Sequence, residues 1–409
     1  MDQLFVGLRY VALFTGLEVP STSVVNEALA TIAAAGPHTR VGVAPRPGRR
    51  IWRYDPDVTV PVHQLPEAVV NDGDAAVLQH IRRRPGCHSP LEVHVSQRHI
   101  AFDVDHRLGD GRLALELVSA LFTHSRGHVA PWVANRDTSL ALPRALVHTF
   151  AHPARLGMLW RHTTGLRSAR TSGPHAAPGE SVPWSPSSAV VVARVDADSE
   201  AAVNEWRRAN AATSGSAAVW LYIARHALRS AGLRMTDGVM VAFDSRRYLP
   251  KRRTVNSNFI FGIDVPLAVD DRLPTVAARL REVTAAAVPL AAMGAVSARA
   301  LLPFGRRPVV PSSCFGGAPA DVMYTDMGDI TAMLDDMPWR GDGDRSATGL
   351  IDPGGPNSVT ILNSRLGAVR SVAMSFHDNV FDRRVIETAA GYLEHPIGLL
   401  DLEFPPSAS

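Results

Sequence analysis

The sequence predicts an α/β protein of two sandwich lobes, and three observations carry that expectation. The 409 residues exceed what a single hydrophobic core usually organises. Strand-like and helix-like segments are mixed in both halves, as layered sheets and helices require. Between the halves, a stretch from Gly165 to Ser188 is rich in Ser, Pro, Gly and Ala and has little apolar periodicity. The expected units are an N-terminal lobe over 1–165, a connecting segment over 166–188 and a C-terminal lobe over 189–409.

In the first half, Arg9 to Phe14 reads as a strand. Ser21 or Ser23 can cap a helix that runs to about Ala35. His38 to Val43 reads as a returning strand. Leu91 to Val95 and Ile100 to Val104 read as a hairpin pair. Leu113 to Phe122 is apolar at helical spacing, and a further helix is predicted over Leu140 to Trp160. In the second half, strands are predicted over Ala189–Val195, Val239–Phe243, Phe259–Val265, Val322–Thr325, Val359–Leu362 and Val369–Phe376. Helices are predicted over Ser199–Ala211, Ser216–Ala231, Arg272–Ala287 and Phe381–Glu394.

Composition narrows the function classes. Apolar residues make up 46% and charged residues 20%, which is ordinary for a globular chain and unlike a disordered one. The net charge of +3 is small and scattered; it admits an anionic partner without demanding nucleic acid. Nearly all positive charge is arginine, with Lys251 the single lysine, and the abundance of Ala, Arg, Gly and Pro looks like GC-rich coding. Arginine clusters therefore carry little weight by themselves. Cys87 and Cys314 form no CxxC pair, so no metal site or disulfide framework is expected. The apolar run Leu4–Phe14 is interrupted by Arg9 and has no basic leader, and no segment has the apolar length of a membrane span. The expected setting is the cytoplasm.

The stretch most informative about chemistry is Ala101–Phe122, AFDVDHRLGDGRLALELVSALF. At its centre, His106-Arg107-Leu108-Gly109-Asp110-Gly111 forms an HxxxDG pattern. A half-buried strand runs into the histidine and an apolar helix follows, so His106 is expected in a strand-to-helix loop, where a scaffold presents reactive groups. Gly109 and Gly111 are expected to supply backbone angles that other residues avoid. Imidazole, with an ordinary pKa of about 6.5, is mostly neutral at pH 7 and can accept a proton from an attacking hydroxyl or amine. A lone histidine at a strand end is more often structural, so the pattern needs its context. Asp110 is expected to be structural, because a buried carboxylate there needs a cation and an arginine partner would pin the loop.

With these residues in view, the chain resembles the acyltransferase superfamily of nonribosomal peptide condensation domains, plant BAHD acyltransferases, polyketide-associated acyltransferases and wax ester synthases. Five segments carry the resemblance in order: Val25–Val41, His106–Gly111, Asp244–Leu267 (DSRRYLP, then NSNFIFGIDVPL), Tyr324–Ile330 (YTDMGDI) and Val369–Arg383. There are two departures. Asp105 stands where many condensation domains have a first histidine, and no D-F-G-W-G motif follows. The resemblance implies two chloramphenicol-acetyltransferase-like lobes in a V-shaped pseudo-dimer with a central tunnel. It implies His106 as general base in mid-tunnel, and an ion pair from Asp110 to Arg246.

The expected function is an acyltransferase of bacterial secondary metabolism. It would move an acyl group from a coenzyme A or phosphopantetheinyl carrier-protein thioester to a small alcohol or amine, with no permanent cofactor. Asn258 and Thr325 are candidates for substrate or donor binding. Lys251 and Arg252 are candidates for the donor's phosphates or a carrier's acidic helix. The other basic run, Arg82–Arg84, is more simply a solvated loop, and the His377–Asp378 pair a surface turn. The competing expectation is a non-catalytic domain that docks a carrier protein.

Overall fold

The computed structural model describes residues 5–46, 51–134, 138–169, 180–251, 253–299, 311–341 and 345–401. Its strands, in chain order, begin with β1 (Arg9–Thr15), β2 (Val62–Gln64), β3 (Leu91–Val95) and β4 (His99–Asp105). There follow β5 (Ser188–Val195), β6 (Val239–Asp244), β7 (Ile260–Val265), β8 (Asp321–Asp329), β9 (Ser346–Ile351), β10 (Ser358–Leu366) and β11 (Val369–His377). They form two main sheets, ordered β9-β1-β4-β3-β2 and β7-β6-β8-β10-β11-β5.

Alternation explains the first sheet. Leu91, Val93 and Val95 of β3, with Ile100, Phe102 and Val104 of β4, share one face. They pack under the apolar stripes of α1 (Thr22–Ala34) and, after α2 (Asp74–Arg82), of α3 (Gly111–Ser125). On the other face, Val11, Leu13 and Ala101 meet Val190 and Ala373 of the second sheet, with Val77, Leu78 and Ile81 of α2 closing the seam. The sheets are thus joined by a buried apolar layer of their own.

Four features depart from the sequence expectation. His38–Val43 is not a strand: Pro37–Thr39 is a 3-10 turn, and Arg40 and Gly42 take φ of 65° and 81°, which no extended chain permits. The helix expected over Leu140–Trp160 is two helices, α4 (Ala141–Phe150) and α5 (Pro153–Ala169). The break precedes Pro153, whose ring excludes helical geometry at the residue before it. Although counted with the first lobe, α5 packs on the second. Met158 and Leu159 join that lobe's core, and His162 lies 3.2 Å from Glu282 of α7 (Leu273–Ala285), which follows α6 (Ser216–Ser230). Finally, β9 lies within the 189–409 span but pairs antiparallel with β1, with Tyr10 opposite Ile351 and Thr15 opposite Ser346. Gly349 permits this approach, since a Cβ there would lie 2.6 Å from the Val11 carbonyl oxygen. Among the described residues, no helix is long and apolar enough to cross a membrane.

Candidate active site

β4 ends at Asp105 and α3 begins at Gly111, so residues 106–110 form the expected strand-to-helix loop. The backbone of His106 is held on both sides. Its N–H donates to the Leu8 carbonyl at 3.0 Å, and its carbonyl accepts from Asn258 Nδ2 at 2.7 Å. Phe5 stacks on the imidazole with ring centroids 4.2 Å apart, and Tyr10 meets it edge-on at 5.2 Å. The ring's Nδ1 is buried without a hydrogen-bond partner. The residue lies deep in the molecule but borders a cavity, so it is only part-buried at its surface. Burial pulls the imidazole below its usual value near 6.5. Its own carbonyl, the Asp110 carboxylate and Asn258 oppose that shift without cancelling it. The net effect favours the neutral form of the ring.

Asp110 is the joint between the lobes. Its carboxylate caps α3 through the Arg112 N–H at 3.2 Å. It receives Arg246 Nη2 at 2.9 and 3.2 Å and the Phe259 N–H at 3.0 Å. Arg246 also donates to the carbonyls of Val255 and Ser257, both at 2.9 Å, and to Asp244 at 3.2 Å. Both members of the pair are buried, with side-chain exposures of 8% and 2%, so each charge depends on the other. The Tyr10 hydroxyl donates to the Asp110 carbonyl at 3.0 Å. Asp105 forms a bidentate pair with Arg107, at 2.9 and 2.6 Å.

His106 opens on a cavity of about 110 Å³. Its walls come from both sheets: Tyr10 and Ala12 on β1, Ala347 on β9, and Ala242, Gly262, Met323 and Thr325 on β6 to β8. The lining is largely apolar. Strand alternation sorts β8. Met323, Thr325 and Met327 face the cavity, whereas Tyr324 and Asp326 turn the other way, where the Tyr324 hydroxyl donates to Asp326 at 3.1 Å.

No family model matches the sequence, and no curated protein matches it. Solved structures match along nearly the whole chain. A trichothecene 15-O-acetyltransferase from Fusarium sporotrichioides aligns with a TM-score of 0.60 at 11% identity, over 98% of this chain and 93% of that one. The F. sporotrichioides protein TRI101, solved with coenzyme A and T-2, aligns at 0.59 and 12% identity, over 94% of each. VibH, a nonribosomal peptide condensation enzyme, aligns at 0.54 and 10% identity, over 97% and 90%. The chain has the fold of the condensation-domain and BAHD-type acyltransferases.

Within this condensation-type fold, the structure brings His106, Asp110, Gly111, Arg246 and Thr325 together around one junction. Asn258 is not among the residues that line the cavity; its Nδ2 donates to the His106 carbonyl, while its Oδ1 is buried without a hydrogen-bond partner. Lys251 is exposed and outside the cavity wall. Arg252 lies outside the described residues. The two loop glycines need space, not unusual angles, because neither takes positive φ. A Cβ on Gly109 would meet the Asn256 carbonyl oxygen at 2.9 Å, and one on Gly111 would meet Met327 Sδ at 3.0 Å.

The basic run Arg82–Arg84 is not a solvated loop. Arg82 pairs with Asp352 at 2.6 and 2.7 Å, Arg83 with Asp378, and Arg84 with Glu92. Arg83 thereby clasps α2 to the second lobe, whereas Asp352 stands on the first sheet just after β9, its N–H donating to the Arg9 carbonyl at 3.0 Å. Asp378 is consumed in that clasp, and His377 Nδ1 accepts from the Ser187 N–H at 3.1 Å. Sequence reasoning missed Tyr10 and Met327, since an aromatic or apolar residue in a strand reads as core, and Phe5, which precedes β1.

Proposed function

We propose that the protein is an acyltransferase that moves an acyl group from a coenzyme A or phosphopantetheinyl carrier thioester to an alcohol or amine. The observation that carries this reading is the part-buried, neutral His106 bordering a cavity walled by both sheets, on a loop pinned by the buried Asp110–Arg246 pair.

The neutral imidazole takes the acceptor's proton as its oxygen or nitrogen bonds to the thioester carbonyl carbon. The tetrahedral adduct then collapses and the C–S bond breaks. The imidazolium returns the proton to the leaving thiolate, so charge and atoms balance. The Thr325 hydroxyl is a candidate to hydrogen-bond substrate from the opposite wall, and exposed Lys251 to meet the donor's phosphates. The apolar lining suits an acyl chain or acceptor with little charge. The GC-rich composition fits bacterial secondary metabolism.

The test mixes the purified chain with acyl-coenzyme A thioesters and an acyl-loaded carrier protein, offers a panel of alcohols and amines, and follows thiol release and product mass. His106→Ala should lower turnover by about 10²- to 10⁴-fold. Unchanged turnover in that variant overturns the reading. So does carrier binding without thioester consumption, which would favour a docking platform.

A further inference from the structure

We infer that His63, Glu92 and His94 form a binding site for a divalent transition ion of the Zn²⁺ type, separate from the His106 cavity. The three ligands come from neighbouring strands. His63 on β2 lies directly opposite His94 on the parallel strand β3, and Glu92 is two residues before His94 on the same face. The two imidazoles lie face to face with centroids 4.9 Å apart.

The ligand atoms converge. Glu92 Oε2 lies 3.6 Å from His63 Nε2 and 3.9 Å from His94 Nε2, and all three atoms fall within 4.8 Å of one another. Zinc bonds of about 2.0–2.2 Å in tetrahedral array place ligand atoms about 3.3–3.5 Å apart, so small side-chain shifts close the set. His94 is 2% exposed, and the Nε2 atoms of both histidines are buried without a hydrogen-bond partner. Buried polar atoms without partners are uncommon and costly, and an ion between them would satisfy both. Glu92 is already oriented, because its Oε1 accepts the Ser89 N–H at 2.6 Å and leaves Oε2 pointing at the histidines. None of the three lines the His106 cavity.

One group competes. Arg84 Nη2 also bonds Glu92 Oε2, and its side chain, 28% exposed, has room to turn outward when a metal takes that oxygen. The neighbouring His88 is not a comparable ligand, since its Nδ1 is spent on Asp103 at 2.8 Å and Asp103 is in turn paired with Arg9. Two imidazoles and a carboxylate suit Zn²⁺ better than Ca²⁺ or Mg²⁺, which prefer oxygen.

The test uses chelator-stripped full-length protein titrated with Zn²⁺ by calorimetry, with metal content measured after gel filtration. One tightly held Zn²⁺ per chain is expected, and Co²⁺ in its place should give the intense visible absorption of a four-coordinate site. His63→Ala removes a ligand whose side chain is 35% exposed, so the fold should survive. It should weaken binding by about 100-fold or more, given that outer partners alone are worth about 10–100-fold. Arg84→Gln should tighten it. Should His63→Ala misfold, the Co²⁺ spectrum of the wild type and the direction of the Arg84→Gln shift decide. No metal retained by the wild type overturns the assignment, as does equal affinity in folded His63→Ala or weaker binding in Arg84→Gln.

Discussion

Replacing Asp110 with alanine should break the joint between the lobes. The substitution removes the carboxylate facing Arg246 at 2.9 Å and leaves a guanidinium 8% exposed. Cutting one partner from a buried pair costs about 3–5 kcal/mol. Asp244 remains 3.2 Å from Arg246 but is half-exposed, so it offsets only part of that loss. The same carboxylate also serves the Phe259 N–H and the α3 cap, whose loss alone costs about 1 kcal/mol. An overall loss of about 3–5 kcal/mol is therefore expected. For a lobe of ~200 residues, about 2–4 °C accompanies each kcal/mol, so the melting temperature should fall by about 6–20 °C. Thermal melts followed by circular dichroism and tryptophan fluorescence would measure this for Asp110→Ala, Arg246→Ala and the double variant. Because the two groups act as a pair, the double variant should be more stable than the summed losses predict, by about 0.5–3 kcal/mol. A shift under about 2 °C in Asp110→Ala, or strictly additive losses, would refute the pairing argument.

Two further predictions concern the same loop. The acid limb of kcat/KM should have its midpoint below pH 6.5, because burial favours the neutral imidazole. Activity then falls only as pH drops through that lowered value and His106 becomes unable to accept a proton; a midpoint at or above 6.5 argues against His106 as the base. Gly109→Ala should cost about 1–3 kcal/mol, because its Cβ meets backbone at Asn256, whereas Gly111→Ala should stay within about 1 kcal/mol, because Met327 can move. Chemical denaturation of the two variants separates these cases, and equal losses would count against the explanation.

The site was legible in the sequence where local pattern carries it. The alternation of β3 and β4 and the apolar spacing of α3 fixed the loop between Asp105 and Gly111. The resemblance to condensation domains supplied Arg246, 136 residues away, as the partner of Asp110. What escaped was set by distant pairing. β9 is a short strand of small residues, Ser346-Ala347-Thr348-Gly349, and its partner β1 lies at the other end of the chain. The arginines 82 and 83 looked like loop charges because Asp352 and Asp378 are 270 and 295 positions away. The cavity gave no signal, since Ala242, Gly262 and Ala347 are recognisable as walls only when the second sheet is in place. His63 and His94 meet only through the parallel pairing of β2 with β3, which the pattern within either segment does not reveal.

The bonds across the junction argue that the cavity is preformed rather than assembled by lobe closure. His106 is tied through its N–H to Leu8 and through its carbonyl to Asn258, so rotation of one lobe against the other would displace its ring. The same motion would strain Asp110 against Arg246 and Arg83 against Asp378. Selectivity should then reside in the fixed walls. Ala242→Leu adds three carbons to a cavity of about 110 Å³ from the second-sheet side, without touching the loop. One methylene in an apolar pocket is worth about 10–200-fold in kcat/KM. The variant should therefore lose its longest acyl chains or bulkiest acceptors by at least about 10-fold, while keeping its acid limb and turnover on the smallest pair. Lobes that hinged around substrate would absorb the extra side chain and leave the preference unchanged, and that outcome would refute the rigid-wall account.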